Sequence, residues 1–201
     1  ASVRINGSAF DREGNLWISN ARVPNILNRL SPAGQFNTIS FENDLPDVID
    51  ALGIDDIVIA RDGRIYIGTS NAGVAGYDPN TGDFARISGE EEGANLPNDD
   101  VRALTLDQNG SLWIGTRRGL RVLFSPSSMF TESNVTTNAI ITLQDGLAQE
   151  LLNDQFVTEI VVDGANNKWV STVDSGVFLF SPSGQETLFH FTEENSPLPS
   201  N

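Results

Sequence analysis

The chain is predicted to be all-β, a β-propeller segment of four blades with four antiparallel strands each, on three observations. One stretch recurs four times: an apolar strand, an Asp-x-x-Gly turn, then an aromatic-led strand ending in small polar residues. The copies run from Ala9 to Asn20, Ile59 to Ser70, Leu106 to Arg117 and Val162 to Val173, with the aromatic at Trp17, Tyr66, Trp113 and Trp169, spaced by 49, 47 and 56 residues. A second marker runs in phase: Ser31-Pro32, Asp78-Pro79, Ser125-Pro126 and Ser181-Pro182, spaced by 47, 47 and 56. A strand-rich repeat of about 50 residues means units that bury their faces on one another in an array.

In the first unit strands are expected near Ile5–Phe10, Leu16–Ser19, Ile26–Leu30 and Phe36–Ser40, and in the second near Ile54–Ala60, Ile65–Thr69, Val74–Tyr77 and Phe84–Ile87. The third opens on the apolar strand from Val101 to Leu106. Asp107-Gln108-Asn109-Gly110 turns it, Gly supplying positive φ and Asp bonding the turn backbone. Leu112-Trp113-Ile114 follows, then Gly115-Thr116, where neighbouring backbones can approach closely. After the Arg117-Arg118-Gly119 turn come Leu120–Phe124 and a fourth strand at Ala139–Leu143. The fourth unit has strands near Glu159–Val162, Lys168–Ser171, Val177–Phe180 and Thr187–Phe191. Three of the Pro turns carry a Gly shortly after, at Gly34, Gly82 and Gly184, a tight-turn signal. Both markers place about nine extra residues of the third unit between Pro126 and Trp169.

The connections between units rhyme: Asp44-Leu45-Pro46-Asp47, Asn95-Leu96-Pro97-Asn98 and Pro197-Leu198-Pro199, with Asp145-Gly146-Leu147 expected in that place in the third unit. The blades are therefore drawn at 1–43, 44–94, 95–153 and 154–201. The terminal blades would each expose an apolar face. The segment is expected to belong to a larger, seven-bladed ring or to pair with a second copy.

Composition narrows the function. The 201 residues hold 39% apolar side chains, 18 Gly and 9 Pro, enough for a sizeable core in a turn-rich chain. No apolar run approaches bilayer length, and no signal-peptide pattern opens the chain. The absence of cysteine removes disulfides, thiolate metal sites and cysteine nucleophiles. With 12 basic against 27 acidic residues the net charge is −15, which disfavours nucleic acid as a partner.

The phrase from Asp107 to Leu120, D-x-x-G-x-L-W-I-G-T-x-x-G-L, resembles the two-component regulator propeller repeats found in ectodomains of hybrid histidine kinases. A narrower likeness, to a propeller component of the type IX secretion system, rests on Gly119-Leu120-Arg121-Val122, Phe124-Ser125-Pro126, the run from Val162 to Val170, Asp174 to Leu179, and Phe191 to Leu198. The second resemblance implies a non-enzymatic cell-surface binding and scaffold module, with other secretion-system proteins as partners and anionic lipopolysaccharide passed to a sortase. The first implies the alternative, the ligand-binding ectodomain of a hybrid sensor kinase. Both imply an exported protein, at the cell surface, outer membrane or periplasm. Neither carries over a binding residue.

Candidate residues are read beside their structural roles. Trp17, Tyr66, Trp113 and Trp169 recur in register inside a strand and are expected as blade framework rather than a sugar-stacking set. The acidic groups at Asp11 to Gly14, Asp107 to Gly110 and Glu90 to Gly93 read as turns and a solvated loop; none matches a calcium loop. His190, the single histidine, is expected to be structural, and no nucleophile elbow accompanies it. No cofactor or metal is expected. Arg117 and Arg118, with Arg121 nearby, are the candidate ligand-binding residues, on the face shared with the connections between blades. Pairing with acidic neighbours such as Asp99 or Asp154 is the competing account of these arginines, and Arg102 is a further candidate for the patch.

Overall fold

The computed structural model describes residues 4–21, 23, 25–45, 54–89, 93–144 and 146–201. The first blade pairs β1 (Arg4–Phe10), β2 (Leu16–Ala21), β3 (Leu27–Leu30) and β4 (Phe36–Ile39) in chain order. The second repeats this with β5 (Ile54–Ile59), β6 (Ile65–Thr69), β7 (Val74–Tyr77) and β8 (Phe84–Ile87). The third has β9 (Val101–Leu106), β10 (Leu112–Thr116) and β11 (Gly119–Leu123), followed by a separate hairpin of β12 (Ile141–Gln144) and β13 (Leu147–Glu150). The fourth pairs β14 (Val157–Val162), β15 (Lys168–Thr172), β16 (Val177–Phe180) and β17 (Thr187–Phe191). Their first strands follow one another, β1 beside β5, β5 beside β9 and β9 beside β14. Four consecutive blades radiating from one axis make this an all-β propeller segment.

The cores lie between blades. Trp17 packs with Ile57 and Ile65 of the second blade, Tyr66 with Leu104 and Leu112 of the third, and Trp113 with Ile160 and Val170 of the fourth. Each blade thus sends its aromatic forward, while the residue just before it faces the preceding blade. Burying each of these aromatics stabilises by about 2 kcal/mol or more. Strand burial reports the same layering. In the inner blades β6 and β10 are buried at every position, because both faces are covered. In the outer blades β2 and β15 alternate, one face in and one out. The Gly-Thr ends of the second strands sit where blades nearly touch: a Cβ on Gly115 would lie 2.5 Å from Val157, and one on Gly68 would lie 3.1 Å from Val101.

Two expectations need correction. The third blade has no strand at Ala139–Leu143 paired to its sheet. Its outer edge is a single bridge between Val122 and Asn138, and β12 pairs with β13 instead. The cause lies at Ser125-Pro126, which lacks the following Gly of the other three turns and begins a 3₁₀ turn, Pro126–Phe130. That turn seats Met129 in the core between the second and third blades. Phe130 comes so close to Gly76 that a Cβ there would lie 2.8 Å from its ring. The second correction concerns the connection. Gly146-Leu147 belongs to the β12–β13 hairpin, Asp145 lies outside the described residues, and the chain crosses to the fourth blade through Leu151 to Phe156. Leu151-Leu152-Asn153-Asp154 is therefore the counterpart of Asn95-Leu96-Pro97-Asn98.

The outward faces of the terminal blades are apolar. Phe10 is 72% and Phe36 59% exposed, paired across the first sheet through Leu16 and Leu30. Val161, Trp169, Leu179 and Phe189 form one row across the fourth. Trp169 stacks on Phe191 at 5.9 Å, and Phe189 is 59% exposed. Alone in solution the chain is expected to self-associate or bind a hydrophobic dye, and Phe10→Ser with Phe189→Ser to suppress both in sedimentation and dye titration. A dye-silent wild-type monomer would contradict this.

Candidate functional site

The Asp-x-x-Gly turns build a repeated clasp. Asp107 Oδ1 accepts the amides of Asn109 and Ser111 at 2.9 and 3.0 Å, while its Oδ2 accepts the Trp113 indole N–H at 3.2 Å. Asp11 holds Glu13, Asn15 and Trp17 in the same way, with the indole at 2.8 Å. Asp163 accepts the amides of Ala165 and Asn167 and bonds Trp169. In the fourth turn Asn166 takes the Gly position at φ 65°, and its Oδ1 accepts the Gln108 amide of the preceding blade. The second blade departs from the pattern. Its turn reads Ala60-Arg61-Asp62-Gly63, so Ala60 stands where the others have Asp, and Tyr66 stands where they have Trp. Both halves of the clasp are replaced together, and the Tyr66 hydroxyl is buried without a hydrogen-bond partner among the described residues.

The seam between the third and fourth blades carries a buried charge that the sequence reading missed. Leu16, Ile65 and Leu112 face the preceding position in their blades; the fourth has Lys168 there, fully buried. Its Nζ donates to Asp107 Oδ2 at 3.2 Å, Asn166 O at 2.8 Å and Pro182 O at 2.7 Å, and lies 4.6 Å from the centre of the Trp113 ring. Desolvation lowers the Lys168 pKa, opposed by Asp107. At Asp107 desolvation pushes upward, but the Ser111 amide, the Trp113 indole and Lys168 outweigh it and hold the carboxyl below its ordinary value. A polar residue in an apolar register just before the motif Trp was the available signal.

The opposite face carries the candidate arginines. The Arg117-Arg118 turn is held by Thr116, whose Oγ1 donates to Gly119 O at 2.9 Å and accepts the Arg118 amide at 3.0 Å. Both side chains are exposed. Arg118 Nε meets Asp154 at 2.9 Å. Arg117 stands 4.0 Å from Asp100 and 5.7 Å from the Phe156 ring centre. Arg121 is not gathered with them: it is buried, donating to Asn95 O and Leu120 O and pairing with Glu150 at 3.0 Å, which ties β11 to the added hairpin. Arg102 pairs with Asp100. Glu90 to Glu92 lie outside the described residues. His190, on the outer strand β17, stacks on Phe178 at 4.0 Å, its Nε2 2.6 Å from Ser175 O.

Two carboxyls sit on first strands near the axis. Desolvation raises the Asp56 pKa, against hydrogen bonds from the amides of Leu104 and Ile57. Desolvation and then Asp56 raise Glu159. Among the described residues no three His, Cys, Asp or Glu gather as a metal site would need, and no helix is long and apolar enough to cross a membrane.

The comparisons fit this geometry in two steps. Residues 95–118, the last connection residues through the Arg pair, match the family model "Two component regulator propeller". The class is thus a β-propeller segment, one stretch of which matches the regulator-propeller repeat. Among particular proteins, the structure is similar to PorZ, an essential surface component of the type IX secretion system of Porphyromonas gingivalis, with a TM-score of 0.82 and 25% identity. That likeness covers 98% of this chain and 28% of PorZ. The extracellular domain of a putative one-component system of B. thetaiotaomicron superposes with a TM-score of 0.62 at 20% identity, over 94% of this chain and 22% of that one. Histidine kinase P4 of Formosa agariphila is 30% identical over 105 residues, 45% of this chain and 8% of that protein. The chain spans less than a third of each of these proteins. The two solved structures are surface or extracellular domains.

Two expectations follow from the seam. Asp107→Ala, which strands the Lys168 charge, should cost about 3 kcal/mol or more, whereas Lys168→Leu, which leaves Asp107 its Asn109, Ser111 and Trp113 donors, should cost less. Denaturant titration of both, and of the double variant, measures the order. Asp11, Asp107 and Asp163 all have folded pKa values below the ordinary 3.8, so their contribution is complete above that pH and lost as pH falls below it. Asp56 and Glu159, raised in the folded state, act oppositely and favour folding as pH falls from neutral through their range. Thermal melts should therefore show stability holding or rising slightly toward mild acid, then dropping below about pH 3.8.

Proposed function

We propose that this segment is a non-catalytic binding and scaffolding module of an exported surface protein of the type IX secretion machinery, where it works beside other secretion-system proteins in handling anionic lipopolysaccharide. The observation that carries this reading is the likeness to PorZ over nearly the whole chain. The apolar faces of the first and fourth blades would be covered by further blades of the same polypeptide or by a second copy.

The anionic ligand would contact the exposed pair Arg117 and Arg118. Electrostatics restricts it to such a place. At −15 the mean field repels a polyanion, Asp56 and Glu159 make the axis acidic, and only a local basic rim can hold one. The rigid Thr116 turn presents both guanidinium groups from a fixed backbone, which reduces the ordering cost of bidentate contacts. A reading as the ectodomain of a hybrid two-component sensor is supported by the match at residues 95–118 and by the kinase relative. A membrane span and kinase motifs in the same polypeptide would decide for that reading.

Charge reversal, Arg117→Glu with Arg118→Glu, should weaken binding of purified anionic lipopolysaccharide in a low-salt titration. Wild-type binding should fall as salt shortens the Debye length below about 8–10 Å. Binding unchanged by the reversal would remove this rim from the reading.

A further inference from the structure

The third blade lacks the outer strand that the other three possess, and a space remains where it would lie. In the second blade the outer strand β8 gives Ala85 and Ile87 to the core shared with the third. No such strand covers the fourth blade from the third. Instead a groove of about 770 Å³ runs between the hairpin β12–β13 and the side of the fourth blade that looks toward the third. Leu143 and Glu150 stand on the hairpin wall, Phe178 and His190 on the opposite one. Phe178 stacks on Phe180 at 5.4 Å and on His190 at 4.0 Å, which makes that wall an aromatic ladder. A further blade of a ring would not fill the groove, because it would stack on the row Val161, Trp169, Leu179 and Phe189, the other face of the same sheet. The hairpin is two strands wide, with Ile141, Leu143 and Leu147 exposed at 48, 78 and 66%. A pair of strands standing alone is marginal in water, so its unpaired edges and apolar side chains are a surface awaiting cover. The groove is also acidic. Lys168, fully buried, is the single Lys or Arg from 154 to 201, whereas Asp174, Glu186, Glu193 and Glu194 are exposed there. On the third-blade side Arg121 is answered by Glu150 and Arg118 by Asp154.

We propose that this groove docks an extended segment of a partner protein in which basic side chains alternate with apolar ones. Charge complementarity selects the sign. A rim of carboxylates with no free Lys or Arg on the fourth blade, in a chain of net charge −15, attracts and orients a cationic segment and repels an anionic one. The walls select the rest. Leu143 and the Phe178 ladder face each other across the groove and offer burial to apolar side chains, while Glu186 is exposed to meet the cations. Gln149 and Asn153, both exposed, carry carboxamides that give and take hydrogen bonds, as a peptide backbone requires. A hairpin without a third strand leaves a backbone edge to which an extended segment can add. Alternation follows from that geometry, since successive side chains of an extended segment point to opposite sides. The occupant is opposite in charge to the ligand assigned to Arg117 and Arg118, and the inference does not rest on that assignment.

The test is an array of peptides of about eight residues, with lysine or arginine at alternate positions and valine, isoleucine, phenylalanine or tyrosine between them. Glutamate-for-basic and scrambled sets of the same composition accompany it. The basic alternating peptide best retained is then titrated by fluorescence anisotropy. Glu186→Lys should weaken its binding about tenfold, and Leu143→Ser about five-fold. Both positions are exposed, so thermal melts should match wild type. Asp83→Lys makes the same change in net charge at an exposed site on the second blade and should leave binding within about two-fold of wild type, since the groove and not the overall field holds the peptide. Retention of no basic alternating peptide, equal retention of the scrambled or acidic sets, binding indifferent to Glu186→Lys and Leu143→Ser, or an equal loss in Asp83→Lys would overturn the proposal.

Discussion

One carboxylate in each of three blades does the work on which the rest depends. Asp11, Asp107 and Asp163 each gather the amides of a tight turn on one oxygen and an indole N–H on or beside the other. Hydrogen bonds to an ionised acceptor are worth about twice neutral ones, so the turn and the aromatic are fixed together. The aromatic is also the wedge that enters the next blade. Local turn chemistry and long-range packing are therefore one device, and a chain without disulfides can hold a radial stack of thin sheets by repeating it.

What could be read in advance follows from that device. A turn residue and an aromatic recur at fixed offsets, Asp in three repeats, Gly in three and Trp in three, so their period announced blade number, strand order and the burial of Trp17, Tyr66 and Trp113. The Gly-Thr ends were legible too, because only a residue without Cβ fits where Gly115 meets Val157. Legibility failed where a unit left the pattern. Ser125-Pro126 without its Gly marks a third hairpin that does not close, while the mostly apolar run at 139–143 has the composition of the missing strand. Leu151 to Asp154 carried the connection, but the proline that marks its counterpart is absent. At the candidate site, spacing placed Arg117 and Arg118 on one turn, whereas the inward path of Arg121 depends on Glu150 from a hairpin that no repeat contains. Ala60 with Tyr66 was a visible double departure, hidden because Asp62 sits close enough to Gly63 to pass for the motif.

The two faces of the array differ in kind. On the connection side, threonines hold the turns rigid and put charged side chains outward, with Arg118 answered by Asp154 and Arg117 set over Phe156. On the other side the clasp carboxylates are turned inward, while Arg12, Glu13, Arg61 and Asp62 reach solvent.

The buried lysine has a further consequence, for the order of the parts. Three of the four blades could in principle trade places, since each presents an aliphatic residue backward and an aromatic forward. The fourth cannot. Lys168 requires a predecessor that offers a carboxylate at the position of Asp107, and behind the second blade it would meet Ala60 and remain an unpaired cation, at a cost of several kcal/mol. A shuffled array would thus be penalised at one joint only. The fourth blade therefore rejects the second as its predecessor but would accept the first, whose Asp11 stands at the place of Asp107, while the other joints stay interchangeable.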